Sequence, residues 1–238
     1  FTSSFLYIST KEKMQRSTYG VNSPAIRPKV SRCRRMVYLP VMSTGSYRQA
    51  IFSGSQNGNQ NVVKFDDVLA SRRSVRNYDA SRTISESEVR ELLQAVQEAP
   101  SWANQQPTKY YVAMPGDKRD ALLEMIGGNK ERVKDAPVLI VSTFETGKSG
   151  FFRGNASNEI GDGWGAYDNG LSNAYLILKA RAMGFDTLIM GMRYSEEIRA
   201  EFGVPENETI MAVIALGYRN EEPKSPVHRS FDEVVKFF

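Results

Sequence analysis

The sequence predicts an α+β sandwich built on a central sheet. Three observations point there: four strand-like apolar segments separated by helical ones, two consecutive helices before the first strand, and no strict βαβ alternation of the dinucleotide-binding kind. The chain has 238 residues, 41% hydrophobic and 11% aromatic, which is ample for one core and short for two full domains.

The elements follow in order from residue 64. FDDVLAS reads as a short helix opening with acids, followed by the basic run RRSVR and the turn NYDASR. In ISESEVRELLQAVQEAP, Ser85 is the N-cap and Glu88 stands three residues later. Val89, Leu92, Leu93 and Val96 then recur at helical spacing until Pro100 stops the helix. TKYYVAM reads as a strand, GDKRDALLEMIGG as a helix closed by glycines, and APVLIVSTF as a buried strand. WGAYDNGLSNAYLILKARAMG is a long helix on which Leu171, Ala174, Tyr175, Leu178 and Ala182 form one face, widened by Leu176, Ile177 and Ala180. Such a face belongs at a core or a subunit interface. FDTLIMG is a strand, SEEIRAEFG a helix, ETIMAVIALGY a strand, and SFDEVVKFF closes the chain.

Composition removes several functions. Cys33 and His228 are the single cysteine and histidine, which excludes a disulfide scaffold and a thiolate-cluster metal site, and leaves a Ser/His/Asp triad one residue to build on. No metal site is expected. The net charge of +4 is unevenly placed: residues 1–63 carry nine Lys and Arg against Glu12 alone, so the remainder is net acidic. A nucleic-acid-binding fold is therefore not expected. Residues 1–63 lack apolar periodicity and end in the polar run SGSQNGNQN, and they read as a basic, disordered extension, a targeting segment or an artefact of the reading frame; residues 64–238 form the folded domain. MVYLPVM, interrupted by Pro40, is too short to span a bilayer, so no membrane association is expected. The expected location is cytoplasmic, or organellar or exported if the extension is a real targeting segment.

Four constellations carry chemistry. Arg72, Arg73, Ser74 and Arg76 form a dense anion-binding set, because guanidinium forks match phosphate oxygens. The loop APSWANQQP, residues 99–107, offers amide side chains suited to the edge of a heterocycle such as a flavin or nucleobase. In LIMGM, Gly191 ends a strand and lets backbone amides approach a ligand. PVHR places Arg229 near the C-terminus. Taken singly, each has a bland reading: a solvated charge cluster, a polar loop, a turn glycine, a surface cation. GKS at Gly147 to Ser149 lacks the earlier glycine of a phosphate loop, and no GxGxxG follows a strand.

Together, RRSVR, PSWANQQP, IMG and HRSFDEVV, in that order, resemble the signature of the nitroreductase family, and DNGLSNAYLILKARAMG resembles its central helix. The resemblance covers about Lys64 to Phe238. It implies a central, mainly antiparallel sheet flanked by helices, in an FMN-binding fold that is an obligate homodimer with its flavins at the subunit interface. Implied too are hydride transfer from NADH or NADPH through FMN to a nitroaromatic, quinone or similar acceptor, and ping-pong kinetics. By motif position, Arg72, Arg73, Ser74 and Arg229 would hold the phosphate and ribityl chain. Arg76 would face the pyrimidine edge. Ser101, Asn104 and Gln106 would bond the ring system, and the amides of Met190 and Gly191 would approach N5. No side chain is then needed as an acid or base. Two positions depart from the pattern: Thr108 stands where many members have an aromatic residue, and Met190 where some have an acid. The alternatives are a flavin- or nucleotide-binding protein without turnover, or another flavin chemistry of the family such as reductive dehalogenation.

Overall fold

A computed structural model describes residues 64–238. The expected N-terminal extension, its candidate targeting segment and Cys33 lie outside the described residues. The sheet has four strands: β1 (Thr108–Ala113), β2 (Val138–Glu145), β5 (Asp186–Met190) and β6 (Glu208–Gly217). Their spatial order is β1-β2-β6-β5, and every neighbouring pair is antiparallel, as expected. A small hairpin of β3 (Phe151–Phe152) and β4 (Asn155–Ala156) was not expected; strands of two residues carry no readable period. The helices are α1 (Phe65–Ser71), α2 (Glu86–Val96), α3 (Asp117–Glu124), α4 (Lys130–Val133), α5 (Gly163–Ala182), α6 (Ser195–Phe202) and α7 (Phe231–Val234).

Both faces of the sheet are covered. On one face Leu122, Ile126, Leu139, Val141, Val213 and Ala215 pack together; on the other are Leu92, Val96, Ile140, Leu176, Ile214 and Leu216. The central strand β2 is buried from Val138 to Phe144, which is why its sequence is a continuous apolar run rather than an alternation. Helix α2 opens with the expected capping box: Glu88 N–H donates to Ser85 Oγ, and Ser85 N–H donates to the Glu88 carboxylate.

Helix α5 divides the expected apolar surface, burying Leu176 and Ala180 and leaving the Leu171, Tyr175 and Leu178 row outward. Its buried side is Gly165, Asp168, Asn169, Ser172, Asn173, Leu176 and Ala180, whereas Tyr175 is 42% exposed and Ala182 is also exposed. Polar residues can face the sheet here because they satisfy one another. Asn169 Nδ2 donates to the Thr143 carbonyl at 2.9 Å, Asn173 Nδ2 to Asn169 Oδ1 at 2.9 Å, and the Tyr110 hydroxyl to Asn173 Oδ1 at 2.9 Å. Hydropathy alone scores each as an outward residue; pairwise satisfaction removes the burial penalty. Gly165 is required by contact, since a Cβ there would lie 2.4 Å from the Phe144 ring.

Candidate functional site

The structure places RRSVR and LIMGM on one edge of the sheet and the residue 99–107 loop on the opposite edge. RRSVR lies along the free edge of β5. Ser74 pairs with Thr187 in a parallel bridge, and Val75 N–H donates to the Thr187 carbonyl at 3.0 Å. The segment thus runs in the direction of β5 toward Met190 and Gly191. Arg72 and Arg73 are half-buried, Ser74 and Arg76 exposed. None of the three arginines is paired with a carboxylate among the described residues. Arg73 Nη1 donates to the Arg72 carbonyl at 2.7 Å, and Nη2 to Ser225 Oγ at 3.1 Å, which draws the C-terminal segment toward the run. Arg229, four residues beyond Ser225, is exposed.

What fixes this edge is a cluster that sequence reasoning missed. The Asp186 side chain is 2% exposed and receives the Arg219 guanidinium at 2.6 and 3.0 Å, with Arg181 at 3.4 Å. Arg219 also donates to the Ser71 carbonyl at 3.2 Å, and Arg181 Nε to Ser71 Oγ at 3.1 Å, so both arginines grip the chain just before Arg72. The Asp186 carboxylate raises the Arg219 guanidinium pKa above its ordinary value. Register explains the pairing: Asp186 opposes Gly217, two residues from Arg219, a proximity that only the antiparallel partnership of β5 with β6 creates.

Gly191 follows β5 directly. A Cβ at this position would meet nothing within 4 Å, so its front is open space. Its carbonyl is held by Arg193 Nη1 at 2.6 Å, while burial lowers the pKa of that guanidinium. Met190 is buried in the core and pairs with Val213 of β6, so of the two expected residues it is Gly191 that faces open space.

The loop containing Ser101, Asn104 and Gln106 enters β1 on the other edge. Three of its non-glycine residues have left-handed backbones: Ala103 (φ 44), Asn104 (φ 56) and Gln106 (φ 49). The loop bonds to itself. Asn104 N–H donates to the Ser101 carbonyl at 3.0 Å, Gln105 N–H to the Trp102 carbonyl at 2.9 Å, and Gln106 N–H to Ser101 Oγ at 2.9 Å. With these amides occupied, the loop presents the side chains of Asn104 and Gln106, which are exposed and linked at 2.8 Å. Ser101 serves as a brace, its hydroxyl still able to donate. Behind the loop lies a cavity of about 310 Å³ whose lining includes Leu93, Val96, Ser101, Thr108 and Ser172. The Thr108 hydroxyl is buried without a partner.

The two groups do not meet within one chain. From the RRSVR strand to β1 there are four strand spacings, roughly 19 Å. Helix α5 agrees: Asp168 contacts the loop and Arg181 contacts Ser71, and the thirteen residue steps from one to the other span roughly 20 Å.

A protein-family model described as the nitroreductase family matches residues 69–218, and the chain belongs to that family. It is 30% identical over 192 residues to a protein named NADH dehydrogenase from Thermus thermophilus, covering 71% of this chain and 92% of that one. Solved structures share the fold. A protein from Exiguobacterium sibiricum 255-15, solved in complex with FMN, matches with a TM-score of 0.67 at 20% identity, covering 76% of this chain and 100% of that one. CLA-ER, a gut-bacterial enone reductase, matches with a TM-score of 0.66 at 19% identity, covering 75% and 98%. Among the described residues no helix is long and apolar enough to cross a membrane, and no group of His, Cys, Asp and Glu is arranged to hold a metal ion.

Proposed function

We propose that the protein is an FMN-dependent oxidoreductase that passes hydride from NADH or NADPH, through the flavin, to a nitroaromatic, quinone or similar small acceptor by a ping-pong route. The observation that carries this reading is the β5 edge: three arginines without carboxylate partners run toward a glycine that faces open space. That donor set fits FMN. Unpaired guanidinium groups suit a phosphate, and a bare glycine suits close approach of a flat ring. Arg72, Arg73, Ser74 and Arg229 would hold the phosphate and ribityl chain, and Arg76 the pyrimidine edge. A fixed cation there stabilises the negative charge that reduction leaves on the ring. The backbone at Met190 and Gly191 would border N5. FMN supplies the hydride-accepting and hydride-donating chemistry; the chain binds, orients and neutralises.

The wide separation of the loop from RRSVR supports a homodimer, in which a second copy would bring its Ser101, Asn104 and Gln106 to the flavin held by the first. The outward row of α5, with half-buried Leu171 and Leu178 around Tyr175, supplies an apolar surface for that contact. The Thermus relative's name and the FMN complex from Exiguobacterium support the same cofactors.

The experiment is steady-state oxidation of NADH and NADPH by the FMN-loaded protein with nitrobenzene and 1,4-benzoquinone as acceptors. Parallel double-reciprocal lines are expected; no oxidation with either acceptor would end the proposal. In the same assay series, Arg76→Ala should slow reduction of the holoenzyme more than it weakens FMN retention, and equal loss of both would make Arg76 purely structural.

A further inference from the structure

We propose that Asp168 is a positioning residue that holds the Ser101–Gln106 loop in its ligand-presenting shape and joins it to the segment leading into the β3–β4 hairpin. The inference rests on the reading of this loop as part of the flavin site. Asp168 sits on α5, 2% exposed, and a single oxygen, Oδ2, accepts twice: from Trp102 N–H at 2.9 Å and from the Ser149 hydroxyl at 2.6 Å. Among the described residues, the Trp102 bond is the one hydrogen bond of residues 101–106 that leaves the loop; the others close within it.

That tether has work to do. Left-handed backbone at three non-glycine residues is unfavourable and persists only where the surroundings over-determine it. The Trp102 amide lies immediately before the first of them, Ala103. An oxygen that accepts from two donors on different segments is anchored by both, so it keeps the Trp102 amide in place. The Trp102 ring is pressed on Trp164 of α5 with centroids 4.7 Å apart, and Trp164 Nε1 donates to Asn158 Oδ1 at 3.0 Å, so the loop's start is held at the backbone and at the side chain. Ser149 connects the same carboxylate to the chain just ahead of β3, whose Phe152 is exposed. A displacement of the hairpin therefore reaches the loop through one oxygen atom.

Trp102 and Trp164 are the only two tryptophans of the chain, so in the flavin-free protein its tryptophan emission reports directly on this junction and its near-ultraviolet circular dichroism includes their signal. Asp168→Ala should release FMN about 10- to 100-fold faster than the wild type, and should alter tryptophan emission and dichroism in the flavin-free protein. Asp168→Asn retains an acceptor oxygen and should recover FMN release to within about threefold; it also serves if the alanine variant does not fold. Ser149→Ala removes the other donor but leaves the loop tethered, and should change FMN release by less than about threefold. Lower melting temperatures with wild-type FMN release and wild-type tryptophan signals in both Asp168 variants would overturn the assignment. Release from Ser149→Ala as fast as from Asp168→Ala would do the same. A wild-type protein that takes up no FMN contradicts the proposed function alone, and the flavin-free tryptophan signals still decide the tether.

Discussion

The two edges of the sheet hold their exposed groups in place by opposite means. At β5, charge fixes charge: Asp186, Arg219 and Arg181 form a sunken ion cluster that grips Ser71, and the arginines of RRSVR, none paired with a carboxylate, follow directly after it. At β1, the backbone is bent against its own preference and held by a short set of local bonds and the Asp168 tether. The first arrangement suits an anion, whose binding needs cations that no internal carboxylate has neutralised. The second suits a neutral heterocycle, whose edge needs amide groups held at fixed angles. Stability at one edge therefore depends on paired charges, and at the other on conformational strain that other contacts offset.

The sharpest way to break this contrast is Asp186→Ala. It leaves Arg219 and Arg181 without their buried partner and should cost about 3–5 kcal/mol in denaturant unfolding. A loss under about 1 kcal/mol would mean that the cluster does not hold the edge. Next, Arg73→Ala should raise the FMN dissociation constant about 10- to 100-fold, with a much smaller effect on stability because the side chain is not in an ion pair. An unchanged dissociation constant would remove the phosphate role. At the opposite edge, Ala103→Gly should stabilise the flavin-free protein by up to about 1 kcal/mol, since glycine adopts φ 44 without steric cost. Destabilisation of that size would show that the backbone is not strained there.

A further effect appears only in alkali. Burial, with Glu208 accepting its hydroxyl proton, pushes Tyr111 up to about 12, and burial also raises Tyr110 and Tyr78. The folded state then holds these protons more tightly than the unfolded chain, so the Tyr111 contribution is complete below about pH 10 and is lost as pH rises from about 10 through 12, while that of Tyr110 and Tyr78 goes on falling above it. Denaturant unfolding followed across that window should show stability falling, and Tyr111→Phe should flatten part of the slope. A flat profile in the wild type would contradict the assignment.

Much of this fold could be read from the sequence because local signals agree with global placement. The capping box at Ser85 and Glu88, the unbroken apolar run of β2, and the left-handed Gly203 ending α6 each act within a few residues. The motifs RRSVR and PSWANQQP could be singled out for the same reason, since each is contiguous in sequence. What stayed hidden depends on register and on pairing at a distance. Asp186 and Arg219 are 33 residues apart and meet only through the β5–β6 ladder. Asp168 looks like a surface residue until the loop 66 residues earlier folds onto it. The polar residues on the inward side of α5 were not legible because Asn169 and Asn173 satisfy each other and β2, which no periodicity of hydropathy records.

The central claim is that these two edges are the two sides of one flavin site, and the visible absorption spectrum of the purified, FMN-incubated protein tests it most directly. Anaerobic addition of NADH or NADPH should bleach a flavin band that survives gel filtration, and the released cofactor should run as FMN on chromatography. A protein that stays colourless after incubation with FMN would contradict the claim and return both edges to ordinary surface; a flavin band that neither nucleotide bleaches would leave a binding protein without turnover.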